Sequence, residues 1–464
     1  MNPHIDARRT ESSARSAGRR RPLRVSCTLR RHQSFLAWAP ASALLAAALG
    51  ALPAPALYDD DDVRAILLNQ DRAQALDAPL VLLAHETRLH LLGSGPQERN
   101  EHWIWYVADP AAPSCRALQT LRIRLDVQLD RLELIRCRIY RDDDTLMIPL
   151  DSWHLGVVPG WPPQSRVSWN EASCQLPELR AGDGVEVAYT IHDRWSTTRV
   201  PLNSAWVPIG EPGVPTIERH IVITHPSVLS GRAIVVGDAA RVVRHHGNIE
   251  PMLELLTGNL PPAPADPLDP GSPRLLFSAE TEWDKLRQTL KAYYGTTAHI
   301  YGQALKARAD SISSGARSTR ARVAAALEYV EGRFARVPPR LLESRAYPRT
   351  APVALEQDCA DPLDRAMLVA GLADAAHVKV EILLAASTAE GFRSEFAMPQ
   401  QFDRILLGFE AIDEGRFVLI DPWQPDLTQA LEAAGAPVLF GITEDVAGFR
   451  EVNDEGRLVA REAP

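Results

Sequence analysis

The sequence predicts a multidomain α+β protein in which an N-terminal β-sandwich precedes a mixed α+β domain. Residues 80–257 contain short alternating or β-branched runs that are separated by Pro, Gly and Asp, as in a sandwich. Residues 275–445 instead show helical spacing followed by strands. The Pro-rich residues 258–274 lie between the two patterns and predict a linker. The length of 464 residues fits two or three such domains.

The N-terminus predicts a secretory signal. Residues 1–34 are basic, residues 35–56 carry no charge, and Ala54-Pro55-Ala56 supplies the small residues that a signal peptidase reads. We therefore expect residues 1–56 to direct export, to the periplasm, with cleavage near residue 56. The alternative is an uncleaved membrane anchor. In either case this segment is the predicted contact with the membrane, and residues 57–79 are a short lead into the β-sandwich.

Composition narrows the classes of partner. The net charge of −9 argues against nucleic acid. Because the sequence has no C-x-x-C motif and no His/Cys cluster, we predict neither a metal site nor a cofactor. An oxidising compartment would permit a disulfide among Cys115, Cys137 and Cys174, but the sequence does not choose the pair.

The predicted β-sandwich is rich in tryptophan. Strand patterns such as residues 102–107 and 184–192 alternate with turns, and residues 141–144 and 179–184 are two of these turns. Most of the tryptophans are expected to pack in the core, since aromatic side chains dominate cores. The alternative is an exposed row that would bind carbohydrate.

The second domain is predicted to be organised around one helix. Asp361 followed by Pro362 is a strong helix start, and residues 366–372 are apolar or glycine, which predicts a helix buried on most sides. Helices are also predicted over 282–294 and 319–334, and strands over 378–382, 402–409 and 416–421. Residues 446–464 are predicted to form a polar tail. Cys359 lies two residues before the N-cap, where a helix dipole favours the thiolate.

This order of motifs resembles the transglutaminase-like fold, a relative of the papain-like cysteine proteases. The matching motifs are Asp358-Cys359, Asp364-Arg365-Ala366-Met367-Leu368, Phe402-Asp403-Arg404 and Asp421-Pro422. The resemblance covers roughly residues 280–445 and implies a Cys-His-Asp site. It assigns the three positions of that site to Cys359, Arg404 and Asp421.

The sandwich segment is similar to the β-domain of unknown function that commonly precedes transglutaminase-like domains in bacterial envelope proteins. The similarity rests on the turn Ala181-Gly182-Asp183, the following Glu186-Val187-Ala188-Tyr189 and the order of the domains.

The sequence departs from the transglutaminase-like pattern at two positions. Arg404 occupies the place of the family histidine, and no histidine follows His377. An arginine stays protonated and cannot accept the proton of a thiol. Alignment of the helix places the family cysteine near Pro362, so Cys359 comes about one helical turn early. We expect Arg404 and Asp421 to face Cys359 and to form an ion pair, and Arg404 to lower the pKa of Cys359.

Three hypotheses of function follow from these residues. The first is a catalytically impaired transglutaminase-like protein that binds a protein or peptide, or acts as a scaffold, in the cell envelope. The second is an active acyl-transfer enzyme, a peptidase or transglutaminase, with Cys359 as nucleophile and an unusual base. The third is a carbohydrate-binding or adhesion protein that works through the β-sandwich.

Overall fold

The computed structural model describes residues 58–91, 97–161, 169–193, 203–227, 231–236, 241–245, 251–264, 272–279, 282–295, 302–336, 349–386, 392–423, 438–443, 448–452 and 457–460. The predicted signal segment, residues 1–56, lies outside these ranges. No helix in the described part is both long enough and apolar enough to cross a bilayer.

The first part of the chain consists mainly of strands. Its helices are α1 (Asp60–Leu67), α2 (Gln70–Gln74) and α3 (Pro113–Leu118), with a 3-10 turn at Leu150–Ser152. Its strands are β1 (Leu80–Leu91), β2 (Gln97–Val107), β3 (Thr120–Asp126), β4 (Asp130–Arg141), β5 (Asp144–Met147), β6 (His154–Val157), β7 (Trp169–Gln175), β8 (Gly184–Asp193), β9 (Ser204–Pro208), β10 (Thr216–Thr224), β11 (Arg232–Val236), β12 (Arg241–His245), β13 (Met252–Leu260) and β14 (Arg274–Ser278).

These strands form one large sheet and two small ones. The large sheet has the order β12-β13-β10-β1-β2-β8-β4-β5, and the small sheets have the orders β3-β7-β6 and β11-β14-β9. In the large sheet β1 and β10 are parallel, while the other neighbours are antiparallel. β5 and β6 are therefore edge strands of two different sheets.

The large sheet is covered on both faces. On one face, Leu82 of β1 shares a buried cluster with Leu121 and Cys174 of the first small sheet. The second small sheet, β11-β14-β9, covers the same face of the large sheet near the C-terminal end of β1. There Leu89 of β1 packs with residues of β9 and β14. The next residue of β1, Leu83, points to the opposite face and packs with α1 and α2. The lead segment thus caps the outer face of the large sheet.

The Pro-rich segment does not separate the strands as the sequence predicted. β13 continues to Leu260, and β14 begins at Arg274. β14 pairs with β9 and β11, both of which precede the Pro-rich segment. The buried Phe277 explains this return, because it fills the core between β14 and the large sheet. The β-rich part of the chain therefore extends to Ser278.

The second part of the chain combines helices with one antiparallel sheet. Its helices are α4 (Trp283–Leu290), which a π-helical turn (Lys291–Gly295) follows, α5 (Gln303–Ser313), α6 (Thr319–Arg333), α7 (Ala351–Leu355) and α8 (Pro362–Ala375), with a 3-10 turn at Pro399–Gln401. Its strands are β15 (Ala335–Arg336), β16 (Cys359–Ala360), β17 (Glu381–Ala386), β18 (Arg404–Ala411), β19 (Arg416–Ile420), β20 (Val438–Gly441), β21 (Gly448–Val452) and β22 (Leu458–Ala460). The six-stranded sheet has the order β19-β18-β17-β20-β21-β22, and β15 pairs with β16.

α8 begins and is buried as predicted. The Asp361 side chain caps it by accepting hydrogen bonds of 2.9 Å from the backbone N–H groups of Leu363 and Asp364. Pro362 occupies the first helical position, where its missing N–H costs nothing. Nearly every residue of the helix is buried, between α5, α6 and α7 and one face of the six-stranded sheet.

The prediction of a polar tail over residues 446–464 is wrong for the described part of that range. There, β21 and β22 extend the six-stranded sheet. Phe449 of β21 is buried, and its ring centroid lies 4.7 Å from that of Trp283. This aromatic contact is formed with α4, far away in sequence, so the polar local composition does not reveal it.

The two parts of the chain are in direct contact. Val236 and Leu276 of the small sheet β11-β14-β9 share a buried cluster with Phe396 and Met398. The Ser278 hydroxyl donates a 2.7 Å hydrogen bond to the carbonyl of Ala397. The architecture is thus mixed α+β, strand-rich and built from several sheets, which confirms the coarse prediction of fold class.

Candidate functional site

Cys359 is buried beside the start of α8. It forms strand β16, which pairs in parallel with β15 through Ala335 and Arg336. The backbone N–H of Ala335 also donates to the carbonyl of Asp358, at 2.9 Å. These bonds fix the backbone of the cysteine two residues before the N-cap, and only 3% of its surface is exposed.

The predicted thiolate character of Cys359 is wrong. Burial raises the pKa of the thiol above its ordinary value; Arg349 opposes this rise, while Asp364, Asp361 and Asp358 add to it. The helix N-terminus does not compensate, because the carboxylate of Asp361 already accepts from its first free N–H groups. The cation that acts on Cys359 is thus Arg349 and not the predicted Arg404.

Among the described residues, no base is bonded to the thiol of Cys359. Within the described residues Cys359 takes part in no hydrogen bond or ion pair, whereas a Cys-His relay needs the two side chains in hydrogen-bond reach. His377 follows the C-terminal cap of α8, at the opposite end of the helix. The length of the helix places it about 20 Å from Cys359.

Arg404 lies on the wrong face of the sheet for the predicted role. It opens β18 and pairs directly with Ala385 of β17, so the two side chains share one face. Ala385 belongs to a cluster with Leu383, Leu406 and Leu439, whereas α8 packs against the alternate residues of these strands. The expectation that Arg404 faces Cys359 is therefore wrong.

Asp421 is buried and follows the end of β19. Its carboxylate accepts a 2.7 Å hydrogen bond from the backbone N–H of Trp423, which closes a turn at Pro422. Arg404 forms no hydrogen bond or ion pair with any described residue, so the predicted Arg404–Asp421 pair is not formed. The three residues assigned by resemblance are thus not joined into a relay.

The sequence analysis missed a cluster around Arg365. The Arg365 guanidinium is fully buried and donates a 3.1 Å hydrogen bond to the carbonyl of Pro422 and another to Glu331. Glu331 also accepts from Arg336, at 2.7 Å. The guanidinium carbons of Arg365 and Arg336 lie 5.6 and 5.4 Å from the centroid of the Trp423 ring. The cluster fastens the Asp421-Pro422-Trp423 turn to α6, β15 and α8.

The carboxylate of Glu331 balances the positive charges of Arg365 and Arg336, which it contacts directly. Burial lowers the pKa of Arg365, and Glu331 opposes that shift, so the guanidinium remains a cation. Burial works to raise the pKa of Glu331, but the hydrogen bond from Arg336 and the charge of Arg365 outweigh it and hold the pKa below its ordinary value. The motif Asp364-Arg365-Ala366 marks this position in the sequence, but it does not reveal the partners.

Arg349 and the stacked tryptophans of the β-rich part each have a neighbouring partner. Arg349 Nη1 lies 3.6 Å from Oδ2 of the buried Asp364. No group of three or more His, Cys, Asp or Glu residues in the described ranges is placed to hold a metal ion. Trp103 and Trp105 are half-buried, stacked at 5.3 Å and packed on a core cluster, not displayed in an exposed row.

The cysteines of the β-rich part are not paired. Cys115, Cys137 and Cys174 are buried free thiols of one core cluster.

In comparisons with known proteins, no family model and no curated protein matches the chain. Among solved structures, the crystal structure of a "putative protease" from Parabacteroides distasonis is 13% identical, covers 80% of this chain and 72% of its own, and has a TM-score of 0.68. An M1 zinc metallopeptidase from Deinococcus radiodurans is 13% identical over 43% of this chain and 42% of its own, with a TM-score of 0.24, too low to support an argument. The likeness to the Parabacteroides protein shows a shared fold and nothing about activity.

Proposed function

We propose that this protein is an exported, transglutaminase-like protein that binds a protein or peptide in the cell envelope and does not carry out cysteine acyl transfer. In this proposal the β-rich part is a sandwich domain and the second part is a transglutaminase-like domain. Binding, and not turnover, is then the function of the molecule.

The state of Cys359 is the observation that carries the proposal. A nucleophilic cysteine needs a lowered pKa or a base within hydrogen-bond reach. Cys359 is buried, its pKa is raised, and no described side chain is bonded to its sulfur. Acyl transfer also requires a group that gives a proton to the leaving group, and a permanently charged arginine at position 404 cannot do so.

The Arg365 cluster supports the same proposal. In a Cys-His-Asp site the carboxylate orients the imidazole. Here the Asp421 carboxylate accepts from the Trp423 backbone, while Arg365 holds the Pro422 carbonyl. The residues at the third position of the pattern are thus used to fix a turn, which is a structural role.

The proposal is tested by assaying amine incorporation into casein and hydrolysis of unfolded peptides. We expect no turnover above background by the wild-type protein, by Cys359→Ala or by Cys115→Ala, which removes another buried thiol. Turnover that is lost in Cys359→Ala and retained in Cys115→Ala would establish the second candidate function, a cysteine peptidase or transglutaminase. The fold likeness to the Parabacteroides "putative protease" is the observation that favours this second candidate.

Export is tested separately by cell fractionation and N-terminal sequencing. We expect a mature protein that starts near residue 57, because a basic region, an uncharged apolar region and Ala54-Pro55-Ala56 occur in order. A mature protein that retains residues 35–56 would contradict cleavage and indicate a membrane anchor.

A further inference from the structure

Two edge strands of the β-rich part consist only of exposed residues. β5 ends the large sheet and β6 ends the small sheet β3-β7-β6, and every residue of both strands is exposed. Within the described residues, β5 pairs only with β4, and β6 only with β7. Each edge therefore presents a row of backbone donors and acceptors that no other described strand pairs with, and natural proteins usually cover or blunt such edges.

The same two strands expose apolar side chains that belong to the interior layer. Leu146 of β5 is opposite the fully buried Ile139, and Leu155 of β6 is opposite the buried Ala172. Opposite residues share a face, so both leucines point into the layer between the sheets. Yet Leu146 is 43% exposed and Leu155 is 58% exposed. We call the surface formed by these two edge strands the β5/β6 seam.

More exposed apolar residues lie on these two strands or in the segment that joins them. Met147, Leu150 and Val157 are 55%, 43% and 59% exposed, all within one short stretch of the chain. Exposed large apolar residues elsewhere in the described ranges, such as Leu256, are scattered singly. A concentration of this kind marks an interaction surface more often than a plain solvated edge.

The rim of the seam is acidic. The turn between β4 and β5 carries the exposed Asp142 and Asp143, β5 begins at the exposed Asp144, and Asp151 is exposed just before β6. Arg141, which ends β4 at this turn, is bound to Asp183 at 2.8 Å. A second copy of this chain would bring the same acidic rim against itself, so like charges oppose self-association at this edge.

We propose that the β5/β6 seam binds an extended segment of a partner protein, with alternating apolar and basic residues, as an added β-strand. This inference rests on the proposed binding function and names its surface. The added strand would pair its backbone with an exposed edge, place its apolar side chains against the exposed leucine of that edge, and direct its basic side chains to the aspartates. Backbone bonds supply affinity, and the apolar and acidic positions supply specificity.

The test uses a fluorescein-labelled peptide of alternating lysine and valine and follows its anisotropy with the purified mature chain. We expect saturable binding that Leu155→Thr or Leu146→Thr weakens by about tenfold, the loss of roughly one buried apolar side chain. Leu256→Thr is the matched control, since Leu256 is exposed to the same 58% on β13, and its affinity should equal that of the wild type. The Asp143→Asn, Asp144→Asn double variant should bind more weakly and with a smaller salt dependence.

Two control peptides isolate the mode of binding. A peptide with alternate backbone amides N-methylated keeps its charge but cannot pair with an edge, so it should not bind. A glutamate–valine peptide should be repelled by the rim. Equal binding of the N-methylated peptide, or equal weakening by Leu256→Thr, would overturn the proposal.

Two further outcomes separate this inference from other readings of the molecule. Concentration-dependent dimerisation in sedimentation that Leu155→Thr abolishes would also overturn it, because the occupant would then be a second copy. Cysteine-dependent turnover in the assays above would refute the proposed function without changing this binding result.

Discussion

Arg365 and Glu331 form an ion pair in which only the anion reaches solvent. The Arg365 side chain is fully buried within α8, while the Glu331 side chain on α6 is 41% exposed. An unpaired buried cation is costly, but an unpaired carboxylate at the surface is simply hydrated. The pair therefore matters because Glu331 compensates the charge of Arg365. Arg365 in turn holds the turn at Pro422 through its hydrogen bond to the Pro422 carbonyl.

Glu331→Gln should destabilise the second part of the chain. The substitution keeps the shape of the side chain but removes the carboxylate that is hydrogen-bonded to the Arg365 guanidinium, at a cost of about 1–3 kcal/mol. Glu328→Gln on the exposed side of the same helix is the matched control and should change stability little. Urea denaturation followed by tryptophan fluorescence measures both, and equal midpoints for the two variants would contradict the role given to Glu331.

The effect of Glu331→Gln should depend on pH. Because the folded pKa of Glu331 lies below its value in the unfolded chain, its contribution is complete above an unfolded pKa of about 4.3 and is lost as the pH falls through the folded pKa. The difference between wild type and variant should hold from neutral pH to about pH 5 and shrink in more acidic solution. A constant difference down to pH 3 would show that charge is not its cause.

Gly371 in α8 should not tolerate alanine. A Cβ at this position would lie 2.5 Å from the Cβ of Ala351 on α7 and 3.1 Å from Leu305 Cδ2 on α5. The helices would have to separate, which costs about 1–3 kcal/mol and outweighs the better helix propensity of alanine. Gly332→Ala on α6 is the matched control, because nothing lies within 4 Å of its Cβ, and it should stabilise by about 0.5–1 kcal/mol. Thermal unfolding should shift in opposite directions for the two variants.

Local signals predicted α8 but not the limits of the two parts. The Asp361-Pro362 start is written in adjacent residues, so the sequence was sufficient to find it. The return of β14 to the first part and the inclusion of β21 in the sheet depend on Phe277 and Phe449, whose partners are distant in the chain. A pattern read along the sequence does not contain these contacts.

The candidate site was predictable in position but not in geometry. The order of the motifs identified the positions of Asp421 and Arg365. It did not predict which residues of β18 point toward α8. Residues 405–409 are all buried, so this strand is apolar on both faces and its alternation carries no signal. Only the pairing of Arg404 with Ala385 shows that the arginine points away from α8.

Cys359 should react slowly with iodoacetamide in the folded protein. Its raised pKa and its burial together should reduce the rate at pH 8 about tenfold or more relative to the urea-unfolded chain, and the rate should keep rising above pH 9. Arg349→Gln removes the cation that lowers the pKa of the thiol, so it should slow the reaction further, whereas Arg320→Gln on the surface of α6 should not. Mass spectrometry of the alkylated Cys359 peptide gives the rates, and a folded rate equal to the unfolded one would contradict this account.

Glu211, in the segment between β9 and β10, is half-buried and has an unusual pKa. Burial raises its pKa to about 7; the charge of Arg219 opposes this rise and that of Glu101 adds to it. Both neighbours are themselves fully buried. The backbone carbonyl of Glu211 accepts a 3.0 Å hydrogen bond from the backbone N–H of Ala263, which fixes the main chain at this position. Its ionisation must then oppose folding.

Glu211→Gln should therefore stabilise the protein in a pH-dependent way. The folded pKa exceeds the unfolded value of about 4.3, so the native state binds the extra proton and loses stability as the pH rises from there to about 7. At pH 8 the neutral glutamine should raise stability by up to about 3 kcal/mol, and at pH 4 it should change little. Glu178→Gln, at an exposed position of the β-rich part, is the control and should shift neither value. Melting temperatures of the wild type and the variant, measured from pH 4 to pH 8, test this prediction. An equal rise in melting temperature at pH 4 and pH 8 would mean that glutamine improves packing or hydrogen bonding. The ionisation of Glu211 would then not destabilise the fold.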